Sequence, residues 1–189
     1  MTFDVIPALL MKFLDFKVRP ESESDQSEIE RLTAKVFGPG IHVRAVQPLR
    51  EGVSHEVSLS FVAEHQSQII GSVRLTKIMW GKNETLMLGP LAVLQRYSGH
   101  SAGKALMRAA VSKASDTCLD HQCKVIILVG NPSYYELFGF KKIIPGKITL
   151  PRPTDPERIL AYELREGALS EMSGPATRCL YSQSKFLNL

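Results

Sequence analysis

Cysteine is scarce. Cys118, Cys123 and Cys179 are the only three in 189 residues, and none stands in a CxxC or zinc-type spacing with histidine. So small and odd a number excludes a disulfide framework, and a reducing, cytoplasmic setting is the expectation. Long apolar runs are missing too. The longest, Val5 to Leu14, carries Lys12 and lies between Asp4 and Asp15. It is too short to span a bilayer and lacks the basic lead of a signal peptide, so no membrane role is expected. Neither sign of charge dominates: 23 Lys plus Arg face 19 Asp plus Glu, and no five like charges run together. Aromatics are only 7% of the chain and do not interleave with clustered basic residues, so no nucleic-acid partner is expected. His42, His55, His65 and His121 are scattered without ligand spacing, which predicts surface residues and no metal. A GK[ST] phosphate loop and a GxGxxG turn are both absent.

What remains is a chain with 44% apolar residues and no repeat or linker, enough to build one core. One domain is predicted over residues 16–175, with an N-terminal extension over 1–15 and a tail over 176–189. Val5, Leu9, Leu10, Phe13 and Leu14 give the extension an amphipathic helical pattern suited to a docking or dimer seam. Phe16 and Val18 suit a first strand, ended by Pro20. Ser22 or Ser24 caps a helix to 37 whose one face carries Ile29, Leu32, Val36 and Phe37. A second, shorter helix is predicted over about 41–50.

From Val57 the period becomes two, predicting a strand through Val57, Leu59, Phe61 and Ala63, a turn at 65–68 and a second strand over 69–79. Residues 85–94 are almost wholly apolar and read as a central strand, buried on both faces. Gly89-Pro90 interrupts it. Proline cannot donate to a ladder, so a bulge and a gap in the sheet are expected there. A small-residue loop, Ser98 to Gly103, then leads into a helix over 103–119 with Leu106, Met107, Ala110, Val111 and Ala114 inward. Unpaired amides and the helix dipole at such a turn suit a pyrophosphate, although, taken alone, glycines there are better explained by a tight turn and close helix packing. A buried strand follows over 124–129, then Asn131-Pro132 opens a short helix that Gly139 closes. Two strands near 140–149 and 158–165 are predicted to finish the sheet.

Leu88-Gly89-Pro90-Leu91-Ala92-Val93, the loop ending at Gly103, Ala105-Leu106-Met107 and the run Val129 to Phe140 together resemble the GNAT N-acetyltransferases, in particular their YhbS-like branch. Phe37-Gly38-Pro39-Gly40, Leu49-Arg50-Glu51-Gly52, Gly71 to Thr76 and Gly167-Ala168-Leu169 extend the resemblance over roughly residues 16–175. It implies an α/β (α+β) fold, with a mixed central sheet of about six to seven strands, a splayed central pair and about four flanking helices. It implies acetyl-CoA as cosubstrate and a primary amine, on a small molecule or peptide, as acceptor. By position, Leu91, Ala92 and Val93 would pair with the pantetheine arm. Ser98, Gly99, His100, Ser101, Ala102, Gly103 and Lys104 would surround the pyrophosphate, and Asn131 would lie near the pantetheine. Ser98 and Ser101 depart from the family's long polar residue and glycine, which motivates the alternative of a non-catalytic CoA-binding or interaction module.

Tyr135, four residues before Gly139, stands where the family carries a tyrosine that protonates the departing thiolate. Tyr134 is expected to face elsewhere. Glu64 and Glu84 lie at strand ends that can reach the acceptor side, although an exposed glutamate is usually only solvated, and no base is identified. Arg44, Arg50, Arg152 and Arg158 favour an acidic or phosphate-bearing acceptor.

Overall fold

The computed structural model describes residues 15–38, 45–99, 101–117 and 123–180. The elements in chain order are β1 (Lys17–Pro20), α1 (Gln26–Phe37), β2 (Phe61–His65), β3 (Gln68–Trp80), β4 (Asn83–Val93), α2 (Ala102–Asp116), β5 (Val125–Val129), α3 (Pro132–Tyr135), β6 (Lys141–Lys142), β7 (Ile148–Thr149), β8 (Ile159–Glu163) and β9 (Gly174–Arg178). They form a 9-stranded sheet whose main path runs β1-β2-β3-β4-β5-β8-β6. Two strands more than expected arise because β9 adds one and the segment 140–149 is split in two. Gly146, at φ +86°, turns it between β6, which pairs with β8, and β7, which pairs with β9. β9 also carries the sheet past residue 175, the expected end of the domain.

The helices sit where the apolar stripes place them. Along β2, Phe61 and Ala63 point into one core cluster with Leu106, Met107 and Ala110 of α2, whereas Val62 points into the other with Ile29 and Leu32 of α1. Strand alternation thus sends successive side chains to opposite faces, and each face is covered by one helix. Three α-helices occur among the described residues. The expected short helix over 41–50 is reduced to a 3-10 turn at Gln47–Leu49 where it is described, and residues 39–44 lie outside the described set. The extension 1–14 lies outside it as well.

The strand expected from Val57 begins only at Phe61. Residues Val57–Leu59 form a 3-10 turn instead. There the Ser60 hydroxyl donates to the Glu56 carbonyl at 2.8 Å and accepts from the Leu75 amide at 3.3 Å, replacing a regular ladder rung.

β3 is long enough to serve two partners on one edge, with β2 pairing at Phe61–His65 and β9 at Ile78–Trp80. Its other edge pairs with β4 throughout, and Val73 faces Leu91 while Leu75 faces Leu88. Gly89 and Pro90 therefore oppose Arg74 alone. This is the bulge expected from the proline, with Gly89 at φ +122°.

Candidate active site

β4 and β5 are parallel and pair only at Leu86–Ile126 and Met87–Ile127. Past those rungs the bulge carries β4 away while β5 ends at Val129, and the sheet opens between them. Gly130 is tied to the next strand, donating its N–H to the Arg158 carbonyl at 2.9 Å. The direction of the β4 main chain beyond the bulge follows from one bond. Leu94 donates to the Ile70 carbonyl at 2.9 Å, so Ala92, two residues earlier, also points its main-chain groups at β3. Leu91 and Val93 then turn their N–H and C=O groups toward the open edge.

Of the three residues expected along this edge, Leu91 and Val93 present backbone to the gap. Ala92 is fully buried beneath α1 with Ile29 and Leu32. Proline has no N–H, so the Leu91 amide is the first donor after the bulge.

The opening is a cleft of about 280 Å³, whose walls include Leu88 to Leu91 on one side and Leu128 to Asn131 on the other. Leu91 and Tyr134 also line a second cleft, with Ser98, Gly99, Ser101, Gly103 and Lys104. One groove thus runs from the splayed strands to the N-terminus of α2. There Ala105 donates to the Ser101 carbonyl at 2.9 Å, leaving the amides of Ala102, Gly103 and Lys104 as the first-turn donors. Ala102 contributes only its backbone, since its methyl is buried in the core. Ser101 adopts φ +63° and ψ −6°, the left-handed conformation a glycine takes without cost, and its hydroxyl makes no cap bond. His100 lies outside the described residues.

Both tyrosines line the splayed cleft, which corrects the expectation that Tyr134 faces elsewhere. Successive residues of a helix stand only about 100° apart, which lets both rings face a gap this open. The Tyr135 ring lies against Gly130, where an added Cβ would come within 2.1 Å of it, and meets Phe140 edge-on at 6.1 Å between centroids. Tyr134 stacks edge-on against Tyr135 at 5.0 Å and reaches across to α2, its hydroxyl 3.0 Å from where a Cβ of Gly103 would stand. Burial, reinforced by the neighbouring Tyr135, pushes the Tyr134 phenol up to about 12, so it is protonated at neutral pH. The Asn131 side chain caps α3, its Oδ1 accepting from the Ser133 amide at 3.1 Å and hydroxyl at 2.9 Å.

Neither candidate base lines the cleft. Glu64 accepts from Arg19 at 2.8 Å across β1 and β2, and Glu84 pairs with Lys77 at 3.4 Å. Of the four arginines, Arg50 and Arg158 line it, Arg152 lines a different pocket and Arg44 is outside the described residues.

A buried network stands behind the bulge that the sequence reading missed. Glu21 accepts from Arg74 at 3.0 Å and contacts His55 at 3.0 Å. Burial raises its pKa, but the hydrogen bonds from His55 and Arg74 outweigh that and the net shift is downward. His55 is thus no free surface residue. Cys123 and Cys179 are buried, and burial pushes the Cys123 thiol up to about 12, which makes it a poor nucleophile. Among the described residues, no three His, Cys, Asp or Glu gather to hold a metal. No described helix is long and apolar enough to cross a membrane.

Residues 56–142 match the family model for the acetyltransferase (GNAT) domain. The chain is 27% identical over 127 residues to an uncharacterized N-acetyltransferase, YjhQ, of Escherichia coli K12, a match covering 63% of this chain and 66% of that protein, just under two thirds of its length. Among solved structures it is similar to the GNAT protein YhbS of Escherichia coli in complex with CoA, with 22% identity, a TM-score of 0.72 and coverage of 88% of this chain and 91% of that one. It is also similar to a GNAT acetyltransferase of Brucella melitensis in complex with acetyl-CoA, at 25% identity and a TM-score of 0.55, covering 79% and 97%. The matched segment spans β2 to β6 and contains the bulge, the splayed strand pair and the α2 turn, so the likeness to the acetyltransferase (GNAT) domain lies in the part of the chain that builds the cleft.

Proposed function

We propose that this protein transfers an acetyl group from acetyl-CoA to a primary amine by direct attack, with Tyr135 as general acid. The observation that carries the reading is the open edge of β4. Leu91 and Val93 offer main-chain donors and acceptors to an extended arm lying between β4 and β5, as a further strand would use them. At the far end of the groove, the first-turn amides of α2 and Lys104 suit a pyrophosphate. Ser101 already holds the left-handed turn, which supports a working loop over a degenerate one.

Acetyl-CoA supplies the activated acetyl group. The Leu91 amide, first after the bulge, is placed to hydrogen-bond the oxygen that becomes negative as the amine nitrogen bonds to the carbonyl carbon. As the C–S bond breaks, Tyr135 gives its phenolic proton to the thiolate. Water takes the proton released by the amine, in keeping with a cleft lined by no carboxylate among the described residues.

Two measurements test this. In thermal unfolding, acetyl-CoA at about 100 times its dissociation constant adds about 2.7 kcal/mol, a rise of several degrees that CoA reproduces and ATP does not. In thiol-release assays with saturating acetyl-CoA, Tyr135→Phe lowers kcat about a hundredfold with little change in acetyl-CoA affinity, whereas Tyr134→Phe lowers it less than about tenfold. The reverse ranking would move the acid to Tyr134. Absence of any thermal shift would instead favour an interaction module that has lost the cosubstrate.

A further inference from the structure

Among the described residues, the splayed cleft carries charge of one sign: Arg50 and Arg158 line it and no described Asp or Glu does. They come from separate elements, Arg50 from the turn after Gln47–Leu49 and Arg158 from the residue before β8. Arg50 lies against the bulge itself, its Nη2 3.5 Å from the Leu88 carbonyl and 3.1 Å from where a Cβ of Gly89 would stand. Arg158 is exposed, and among the described residues its side chain makes no ion pair. Neither lines the stretch of groove beside α2 where the pyrophosphate would sit. Two guanidiniums lining one pocket whose described walls hold no carboxylate create a positive field that favours an anion, and their forked donors fit carboxylate and phosphate oxygens.

Resting on the acetyl-transfer reading, we infer that the acceptor is a small amine bearing an anionic group, carboxylate or phosphate, a few bonds from its nitrogen, held by Arg50 and Arg158. The short separation follows from Arg50. Its guanidinium is beside Gly89, and the amide placed to meet the reacting carbonyl is only two residues on, at Leu91. An amine attacking there brings a substituent within reach of the guanidinium only if that substituent is close to the nitrogen. The inference selects amino acids and aminoalkyl phosphates over neutral amines of equal size.

The test uses matched pairs, β-alanine against its amide and O-phosphoethanolamine against ethanolamine, at saturating acetyl-CoA with thiol release as readout. The anionic member of at least one pair is favoured about tenfold or more in kcat/KM, the size of a charge-assisted hydrogen bond. Which pair shows the preference distinguishes carboxylate from phosphate. Arg158→Gln and Arg50→Gln each reduce the preference about fivefold or more, whereas Arg108→Gln, on the exposed side of α2, leaves it intact. In parallel, amide chemical-shift titrations of the CoA-saturated protein with the same four compounds read affinity at Gly130 and Asn131 without any chemistry. Acid-selective binding without thiol release would sink the transferase reading, and with it the acceptor role, while keeping Arg50 and Arg158 as the site that holds the anionic group. Equal affinity within both pairs, or no binding at high millimolar concentration, overturns the inference. So does a preference that survives both substitutions, or a loss of CoA affinity in Arg158→Gln. Should Arg50→Gln fail to fold, the exposed Arg158 carries the test alone.

Discussion

Ser101→Gly is the substitution whose outcome the backbone geometry most directly sets. Ser101 sits at φ +63°, where an L-residue other than glycine is destabilised by about 1–2 kcal/mol. Glycine removes that cost but loses about 0.4–1 kcal/mol through the greater freedom of its unfolded chain. Capping does not alter the balance, since the Ser101 hydroxyl makes no bond to the first turn of α2. The net gain is about 0.5–1 kcal/mol, or about 1–4 °C in Tm for a domain of this size. The same change removes a side chain from the turn that the cosubstrate would approach, so acetyl-CoA affinity holds or rises. Differential scanning fluorimetry with and without acetyl-CoA measures both. A lower Tm in the variant would refute the strain argument. A collapse of affinity at unchanged Tm would show that the hydroxyl is itself a contact.

Gly130→Ala places a methyl where the Tyr135 ring now lies, so overpacking should cost about 1–3 kcal/mol in chemical denaturation and depress kcat by displacing the phenol. Normal turnover in that variant would contradict the placement of Tyr135. Asp25 gives a pH signature. Hydrogen bonds from Arg19 outweigh burial and hold its carboxyl at about 2, below the ordinary 3.8. The folded state therefore binds fewer protons, and the stabilisation is full above about pH 5 and drains as pH falls toward 2. Allowing for solvent around the half-buried Arg19, about 1–2 kcal/mol is at stake. Denaturation of Asp25→Asn should lack that share of the acid loss, and parallel curves for the two proteins would show that the pair contributes nothing.

Local pattern made much of this molecule legible. The stripe of Leu106, Met107, Ala110 and Ala114 could bury only as a helix against a sheet, and all four are buried. Gly89-Pro90 in an apolar strand required a bulge for want of an N–H, and the register shift opposite Arg74 is that bulge. Gly139 closed the short helix because it could take φ +86°. Three matters were beyond local reading, each because it depends on which distant segments meet. Val57–Leu59 alternates like a strand, but the Ser60 hydroxyl supplies the rung and the segment turns. The charge of the cleft depends on Arg50 and Arg158, 108 positions apart by their numbers, arriving at one opening while Arg152 does not. Glu21 is held ionised by His55 and Arg74 only because β1, β2 and β3 are adjacent. Periodicity, proline and glycine act through the chain's own backbone, and so the sequence by itself determined most of the elements and the bulge. Which charges share a pocket and which carboxylates find partners is settled by pairing across the sheet, and only the tertiary structure decided it.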